Sequence, residues 1–239
     1  MTKKVGLIFA DGMEYSPFEK YALENGGKKE MFNSNETISL KLKNGDKQIE
    51  VVAVKSGIGK VNAAFAAASL IIGKSVDFIL NAGLSGAVSG CKREDIILGE
   101  SYVECDFNAT SIGYALGEKP DEEKYIIPAD KTLLHLGKMS NGVLSGNLGT
   151  GDIFLTDSKL KKLYKDTFSI NAFDMESAAI AFVCDKLDIP FLSIRKISDD
   201  ADDSAESDYR EMNERAESCL TELLINIISR IFNENSVWE

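Results

Sequence analysis

The stretch Phe173-Asp174-Met175-Glu176-Ser177-Ala178-Ala179 joins an apolar run at residues 169–174 to an alanine-rich segment at residues 176–187. An apolar run followed by helix-forming residues predicts a buried strand that leads directly into a helix. Two carboxylates and a thioether stand at the junction. A carboxylate there can accept hydrogen bonds from two vicinal hydroxyls, and a methionine beside it can pack on the face of a sugar. The stretch therefore predicts a strand–helix unit of an α/β fold with a sugar-binding end.

A second junction of the same kind occurs at Arg195-Lys196-Ile197-Ser198-Asp199, where a predicted strand at residues 191–197 ends beside an acid. In α/β sheets, ligands bind beyond the carboxyl ends of the strands. One acid would hold a ribose, and the other would donate a proton to a base. Together the two junctions indicate a nucleoside as the ligand.

Strands and helices alternate along most of the chain, which predicts a parallel or mixed sheet with helices on its faces. Asn44-Gly45 is a strong hairpin signal, and residues 104–129 form a long polar excursion. No linker divides the sequence, so we predict one domain over residues 1–239, an α/β/α sandwich with a mixed central sheet flanked by helices. The predicted strands are residues 5–10, 37–43, 47–54, 76–82, 95–103, 143–150, 169–174 and 191–197, and the predicted helices are residues 60–72, 131–139, 158–165, 176–187 and about 206–231.

The composition is ordinary for a soluble protein, with 44% hydrophobic and 27% charged residues among 239. A net charge of −11 makes the surface repel phosphate groups. We therefore expect neither a nucleic acid nor an anionic membrane as a partner. The N-terminal apolar run is too short for a secretory signal, so the cytoplasm is the predicted location.

The sequence offers little support for metal or redox chemistry. The four cysteines are scattered without a CxxC pair, which favours reduced cytoplasmic thiols over a zinc site or a redox dithiol. A single histidine, His135, argues against a histidine triad or a multi-histidine metal site. The acidic series that begins at Asp199 lacks the EF-hand pattern. We therefore expect no metal and no organic cofactor.

Two loops after predicted strands carry polar or glycine-rich sequence in the first quarter of the chain. Asp11 follows the first strand and is most simply a helix cap, and Glu14 comes three residues later. Residues 56–60 contain two glycines but are followed by Val61, where a phosphate-binding loop needs a hydroxyl. This loop predicts a tight turn that lets the backbone approach a ligand, and it excludes an NTPase.

Two more such loops follow later strands. Residues 81–87 include Gly83 and Ser85 and would either turn sharply or present backbone amides to a substrate. Residues 150–155 place Phe154 after a glycine turn. That aromatic ring either stacks on a planar base or is an ordinary core residue.

These segments together resemble the nucleoside phosphorylase and nucleosidase superfamily, and most closely the bacterial 5′-methylthioadenosine/S-adenosylhomocysteine nucleosidases. No single motif is decisive, and the resemblance depends on the order and spacing of the whole set. The family's fold is an α/β/α sandwich, usually dimeric in the nucleosidases, so the resemblance implies a homodimer. The matched segments are residues 5–14, 55–61, 80–86, 95–98, 149–155, 173–179 and 195–202.

The resemblance implies hydrolysis of the N-glycosidic bond of adenine nucleosides such as 5′-methylthioadenosine, S-adenosylhomocysteine and 5′-deoxyadenosine, in nucleoside catabolism and L-methionine salvage. Glu14 would activate the water, and Asp199 would protonate adenine N7. A free aspartate titrates near ~3.9, so this donor needs a pKa raised by roughly three units, about 4 kcal/mol. The substrate-binding residues would be Glu176 and Met175 at the ribose, Phe154 and Leu155 at the adenine, Tyr209 at the 5′ side, and Gly83 and Ser85 in the glycine-rich loop. Residues 104–116 would either help to form an apolar 5′ pocket, in the same subunit or a partner's, or make an ordinary dimer contact.

One difference from the family concerns the serine that often hydrogen-bonds the catalytic aspartate. Its position is occupied by Leu84 in this chain, and Ser85 is the next residue. This difference predicts altered tuning of Asp199 or an altered base site.

Two rival functions share the fold. A phosphorylase needs a cationic cradle for phosphate, usually arginine, but this chain has no arginine before Arg93 and carries Glu14 in its first loop. A non-catalytic nucleoside-binding or storage protein is the other rival, since a fold alone does not prove activity. The joint presence of Glu14, Glu176 and Asp199 favours hydrolysis over both.

Overall fold

The computed structural model describes residues 2–202, 205–214 and 219–235. Within these residues the strands are β1 (Thr2–Phe9), β2 (Lys28–Phe32), β3 (Asn35–Asn44), β4 (Lys47–Lys55), β5 (Phe78–Ala87), β6 (Ile96–Glu104), β7 (Ile126–Pro128), β8 (Val143–Thr150), β9 (Ala172–Asp174) and β10 (Phe191–Asp199). The helices are α1 (Gly12–Glu24), α2 (Lys60–Ala68), α3 (Lys131–Lys138), α4 (Ser158–Phe168), α5 (Ser177–Lys186), α6 (Ala205–Glu214) and α7 (Cys219–Ile231). A π-helical turn, Ser69–Gly73, extends α2.

The strands form one mixed sheet, as predicted, and part of it closes into a ring. β1 lies parallel between β4 and β5, and β3 and β2 extend the sheet antiparallel beyond β4. On the other side, β5 pairs with both β10 and β9. β8 joins β9 to β6, and β6 pairs with β10. These five strands, β5, β10, β6, β8 and β9, therefore enclose a small barrel, which the sequence did not predict.

A cavity opens where β1 and β5 separate. β1 pairs with β5 only over Val5–Ile8 and Phe78–Asn81. Beyond that point the second half of β5 pairs with β9 at Gly86 and Ala87. The carboxyl end of β1 therefore faces a gap in the sheet, the kind of switch point at which α/β folds bind ligands.

The core is built from the apolar strand residues and two groups of helices. α2 packs on α5, while α7 packs on α1 and α3. The first half of β5 is buried without interruption from Phe78 to Ala82, as expected for a strand covered on both faces. Among the helices of the described ranges, none combines the length and the apolar character needed to cross a bilayer.

The predicted boundaries differ from the structure in several places, among them β9, which begins at Ala172 and not at residue 169, and β7, which was not predicted. Residues 83–87, predicted as part of a loop, form the second half of β5. β2 was not predicted, because its residues are mostly exposed and show no alternation of apolar and polar side chains. The predicted helix at residues 206–231 covers two described helices, α6 and α7, and residues 215–218 between them lie outside the described ranges.

Candidate active site

The gap beyond β1 holds a cavity of about 300 Å³. None of residues 104–116, predicted to form an apolar pocket, lines it within the described chain. Gly83 does not line it either. The cavity is lined by the other eight predicted site residues: Glu14, Ser85, Phe154, Leu155, Met175, Glu176, Asp199 and Tyr209.

Glu14 reaches the cavity from the first turn of α1. Asp11 caps this helix, as predicted, by accepting hydrogen bonds from the backbone N–H groups of Met13 and Glu14. The Glu14 carboxylate turns back toward the strands, where Oε2 accepts from Ala10 N at 2.9 Å and Oε1 accepts from Leu84 N at 2.8 Å. The cap and these two bonds fix the carboxylate at the open end of β1.

Burial is the largest cause that raises the pKa of Glu14, to about 7. The negative charges of Asp11 and Glu176 act in the same direction, while Arg195 and the hydrogen bond from Leu84 oppose them. A carboxyl group with its pKa raised to this range can exchange a proton near neutral pH, which suits a group that accepts a proton from water.

Gly83 lies behind Glu14 and not on the cavity wall. A Cβ atom at this position would be 2.5 Å from Glu14 Oε1 and 2.6 Å from Arg195 Nη1. Gly86, on the same strand, is similarly close to Asp199, since a Cβ atom there would be 2.8 Å from Asp199 Oδ1. The glycines of β5 thus make room for charged side chains and do not form the sharp turn that was one of the two predicted alternatives.

Glu176 is buried at the start of α5, directly after β9. Its Oε1 accepts from Gly59 N at 3.0 Å, and Oε2 lies 3.4 Å from Arg195 Nη1. Gly59 has a φ of 96°, a backbone conformation that favours glycine. The loop at residues 56–60 therefore brings a backbone N–H to Glu176. Burial raises the pKa of Glu176, Asp174 adds to the rise, and Arg195 opposes it.

Arg195 is the main site residue that the sequence analysis missed. Its side chain on β10 is fully buried, with Nε 3.2 Å from Asp174 Oδ2, and it also donates to Asn81 Oδ1. A buried guanidinium is costly unless acids surround it. An arginine inside the predicted buried strand at residues 191–197 was the available signal that carboxylates converge there.

Asp199 ends β10 and is almost fully buried. Its Oδ2 accepts from Ser198 Oγ at 2.6 Å, and Oδ1 accepts from Ala201 N at 2.8 Å. Burial raises the pKa of Asp199, the hydrogen bonds from Ser198 and Ala201 oppose this, and Asp208 and Asp200 add to the rise. A serine beside the aspartate is therefore present, but it comes from position 198 and not from the region of Leu84.

Aromatic and apolar side chains cover the rest of the cavity. Phe154 is 43% exposed, which leaves a ring face open for stacking, whereas Leu155 is buried. The rings of Phe154 and Tyr209 meet edge to face with centroids 5.4 Å apart. The Tyr209 hydroxyl donates to Asp11 Oδ2 over 3.2 Å. Across the described ranges, no cluster of three or more His, Cys, Asp or Glu side chains could hold a metal ion.

Comparison with known proteins places this arrangement in a family. The model of the phosphorylase superfamily matches residues 4–229 of the chain. The chain belongs to this superfamily. Within it, the chain is 33% identical to the 5′-methylthioadenosine/S-adenosylhomocysteine nucleosidase of Geobacillus kaustophilus, over 76% of this chain and 80% of that protein.

Solved structures of the superfamily share the same fold. The 5′-methylthioadenosine/S-adenosylhomocysteine nucleosidase of Neisseria meningitidis, in complex with methylthio-immucillin-A, is 28% identical with a TM-score of 0.85, covering 95% of this chain and 98% of that one. The futalosine hydrolase of Helicobacter pylori is 24% identical with a TM-score of 0.87, covering 95% of this chain and 98% of that one. The latter likeness concerns the fold alone. Membership of the nucleosidase family is confirmed, and the chain is a nucleosidase of this superfamily.

Proposed function

We propose that the protein hydrolyses the N-glycosidic bond of adenine nucleosides such as 5′-methylthioadenosine, S-adenosylhomocysteine and 5′-deoxyadenosine, and releases adenine. The observation that carries this proposal is the position of Glu14, Glu176 and Asp199 around one cavity. The three acids come from distant parts of the sequence. Each is held by hydrogen bonds from backbone N–H groups, which supports a site organised before substrate binds.

Asp199 is the proposed general acid. As the bond to the base breaks, negative charge develops on the purine, and a protonated carboxyl group can donate to N7. The raised pKa of this buried residue favours the protonated form that the reaction requires. Ser198 orients the carboxyl group through its hydrogen bond to Oδ2.

Glu14 is the proposed general base for the attacking water. Its raised pKa of about 7 supports proton transfer near neutral pH. Two backbone N–H groups fix its oxygens, so the water would be held at a defined position relative to C1′ of the sugar.

Glu176 and Met175 form the proposed ribose site. Glu176 would accept hydrogen bonds from the 2′- and 3′-hydroxyls, and Met175 would pack on the sugar. Phe154 would stack on the adenine, and the backbone of Leu155 would read its polar edge. Ser85 Oγ is buried and has no hydrogen-bond partner among the described residues, which supports its proposed place near the base.

The cavity offers little to a phosphate nucleophile. None of the described residues that line it is a lysine or an arginine. The nearby guanidinium of Arg195 is fully buried and bound to Asp174 and Glu176. A phosphate placed near Glu14 would meet carboxylates, so water is the favoured nucleophile.

Adenine release in phosphate-free buffer tests the proposal. We expect release by the parent, and losses of at least about a hundredfold in kcat for both Glu14→Gln and Asp199→Asn. Asp157→Asn, the same chemical change at the cap of α4, serves as a control and should leave kcat unchanged. Release that depends on added phosphate would support the phosphorylase instead. Binding of nucleoside without any release would support the storage protein.

We also propose a homodimer, with the contact on one face of α2 and its π-helical extension. Val61, Phe65 and Ile72 are 79%, 52% and 72% exposed and lie at helical spacing along that face. Ile58, which lines the cavity just before α2, is 50% exposed, and Ile112 within residues 104–116 is 70% exposed. Such a contact would let a partner's residues 104–116 complete the site.

Sedimentation velocity tests the dimer. The parent should sediment at about twice the monomer mass, and Phe65→Asp should shift it toward the monomer. A monomeric parent at micromolar concentration would overturn this part of the proposal.

All four cysteines carry free thiols, which supports a reducing, cytoplasmic location, as a place in nucleoside catabolism and L-methionine salvage requires.

A further inference from the structure

The proposed roles of Glu14, Glu176 and Asp199 leave one part of the cavity without a function. They account for the attacking water, the 2′,3′ edge of the ribose and the base. A furanose ring carries one further substituent, C5′, which is attached beyond the edge that Glu176 would hold. Asp11 and Tyr209 line the part of the cavity that these roles do not use.

Asp11 and Tyr209 form a hydrogen-bonded pair on that wall. The Tyr209 hydroxyl donates to Asp11 Oδ2 over 3.2 Å, and the Tyr209 and Phe154 rings meet edge to face. Asp11 Oδ1 already accepts from Met13 N at 2.8 Å and from Glu14 N at 2.9 Å. The pair therefore links the Phe154 ring, at the proposed base side, to the first turn of α1, which carries Glu14 at the proposed water side. Once the water, the 2′,3′ edge and the base are assigned, this wall is the one left for C5′ of a bound ribose.

We propose that Asp11, positioned by Tyr209, is a specificity-determining residue that selects nucleosides with a hydrogen-bond donor on C5′, either a hydroxyl or an amino group. This inference rests on the proposed function and narrows it, because it ranks adenine nucleosides with a donor on C5′ above 5′-methylthioadenosine, S-adenosylhomocysteine and 5′-deoxyadenosine, which carry none there. A carboxylate oxygen can accept more than one hydrogen bond, so Oδ2 can bind a ligand donor while it keeps Tyr209.

The chemistry of this wall ranks the possible 5′ groups. A 5′-ammonium group gains a charge-assisted hydrogen bond to Asp11, and a 5′-hydroxyl gains a weaker one. A 5′-methylthio group has no donor and would remove water from the carboxylate without replacing its hydrogen bond. A 5′-phosphate would be repelled, because Asp11 and Glu14 both present carboxylates there.

The test compares three nucleosides that differ only at C5′: adenosine, 5′-amino-5′-deoxyadenosine and 5′-methylthioadenosine. The variants are Asp11→Ser, which keeps a helix cap but is too short to reach Tyr209, and Tyr209→Phe, which keeps the ring. We expect Asp11→Ser to lower the adenosine-to-methylthioadenosine ratio of kcat/KM by at least about tenfold, and the amino-to-methylthio ratio by more. Tyr209→Phe should lower both ratios by less.

Asp157→Ser is the matched control, because Asp157 caps α4 through the same two-bond pattern but does not line the cavity. It should leave both ratios unchanged. Ratios that stay within twofold of the parent in Asp11→Ser would overturn the inference. If the parent releases no adenine from any of the three, the proposed function fails, and calorimetric dissociation constants for the same nucleosides and variants then decide the inference by the same ratios.

Discussion

A methyl group at position 83 has no room beside the Glu14 carboxylate. Both nearest groups, Glu14 Oε1 and Arg195 Nη1, are held by hydrogen bonds and cannot move aside freely. We expect Gly83→Ala to displace Glu14 and to lower kcat by about a hundredfold, with a smaller change in KM. Steady-state adenine release measures this. Gly12→Ala, where a Cβ atom would meet nothing within 4 Å, is the control, and a kcat of Gly83→Ala within twofold of the parent would contradict the packing argument.

The ionisation of Glu14 costs the folded protein stability. Its pKa rises from 4.5 to about 7 on folding, so the folded state retains a proton that the unfolded chain has lost, and stability falls as pH rises between these values. Glu14 is only half-buried, so solvent screening reduces this effect. Above pH 7 its ionisation lowers the free energy of unfolding by about 2 kcal/mol.

Glu14→Gln removes this cost. The Tm of the variant minus that of the parent should therefore be about 5 °C larger at pH 8 than at pH 5. Calorimetric scans at both pH values give this difference, in which the titration of all other groups cancels. A Tm difference that does not change with pH would show that Glu14 titrates normally in the folded protein.

The sequence analysis named the three acids of the proposed site but gave Arg195 no role, although a charged residue within a predicted buried strand indicates that acids lie nearby. Glu14, Glu176 and Asp199 each follow a strand-like run, and local spacing shows such a position. The partners of Arg195 come from separate segments that only the folded sheet brings together. Pairing across strands leaves no local trace in the sequence.

At the scale of elements, the loop before α2 is held in place by residues that are distant in sequence. Gly59, the N-cap of α2, has no capping side chain of its own, and Asp152 Oδ1 accepts from Lys60 N at 2.8 Å instead. The same loop donates from Gly59 N to Glu176. Asp152 therefore positions the proposed ribose acid through the start of α2.

Asp152→Ala should loosen this loop and raise KM for adenosine by about tenfold with little change in kcat. A second substrate distinguishes a positioning role from a structural one. 2′,3′-Dideoxyadenosine lacks the hydroxyls that Glu176 would bind, so its KM should not increase. Asp152→Asn, which keeps an acceptor, should recover most of the loss. An equal increase in KM for both nucleosides would assign Asp152 a purely structural role.

Elements with a strong internal pattern were predicted well, and those shaped by distant neighbours were not. Asn44-Gly45 predicted the hairpin of β3 and β4, and in the structure Asn44 pairs with Lys47 beside the turn. Residues 83–87 contain glycines of the kind found in turns, yet they continue β5. These glycines leave room for the side chains of Glu14 and Asp199. The reason for those glycines lies in other segments.

At the scale of the whole molecule, alternating strands and helices predicted the mixed sheet but not its closure. Closure depends on the antiparallel pairings β5–β9 and β6–β10, between strands far apart in sequence. Periodicity indicates that a strand is buried, but it does not identify the neighbour that buries it.

The strands of the closed ring and helix α6, which carries Tyr209 of the cavity wall, should differ in local stability. β5 and β10 lie in the core, whereas only two of the eight described side chains of α6, Ala205 and Met212, are buried. In native-state hydrogen exchange, amides of β5 and β10 should exchange only by global unfolding, and those of α6 by local opening at least a hundredfold faster. Equal protection of α6 and the ring would contradict this.

Strands of the closed ring hold two of the proposed acids, whereas access to the cavity involves a helix outside the ring. The acids at the ends of β9 and β10 share one strand, β5, as neighbour, while Tyr209 belongs to α6 outside the ring. Exchange of α6 between homologous enzymes that keep the acid at position 208 would thus alter how quickly products leave, while the bond-breaking step keeps its own rate. Natural diversification of ligand choice can proceed on that outer helix without rebuilding the chemistry beneath it.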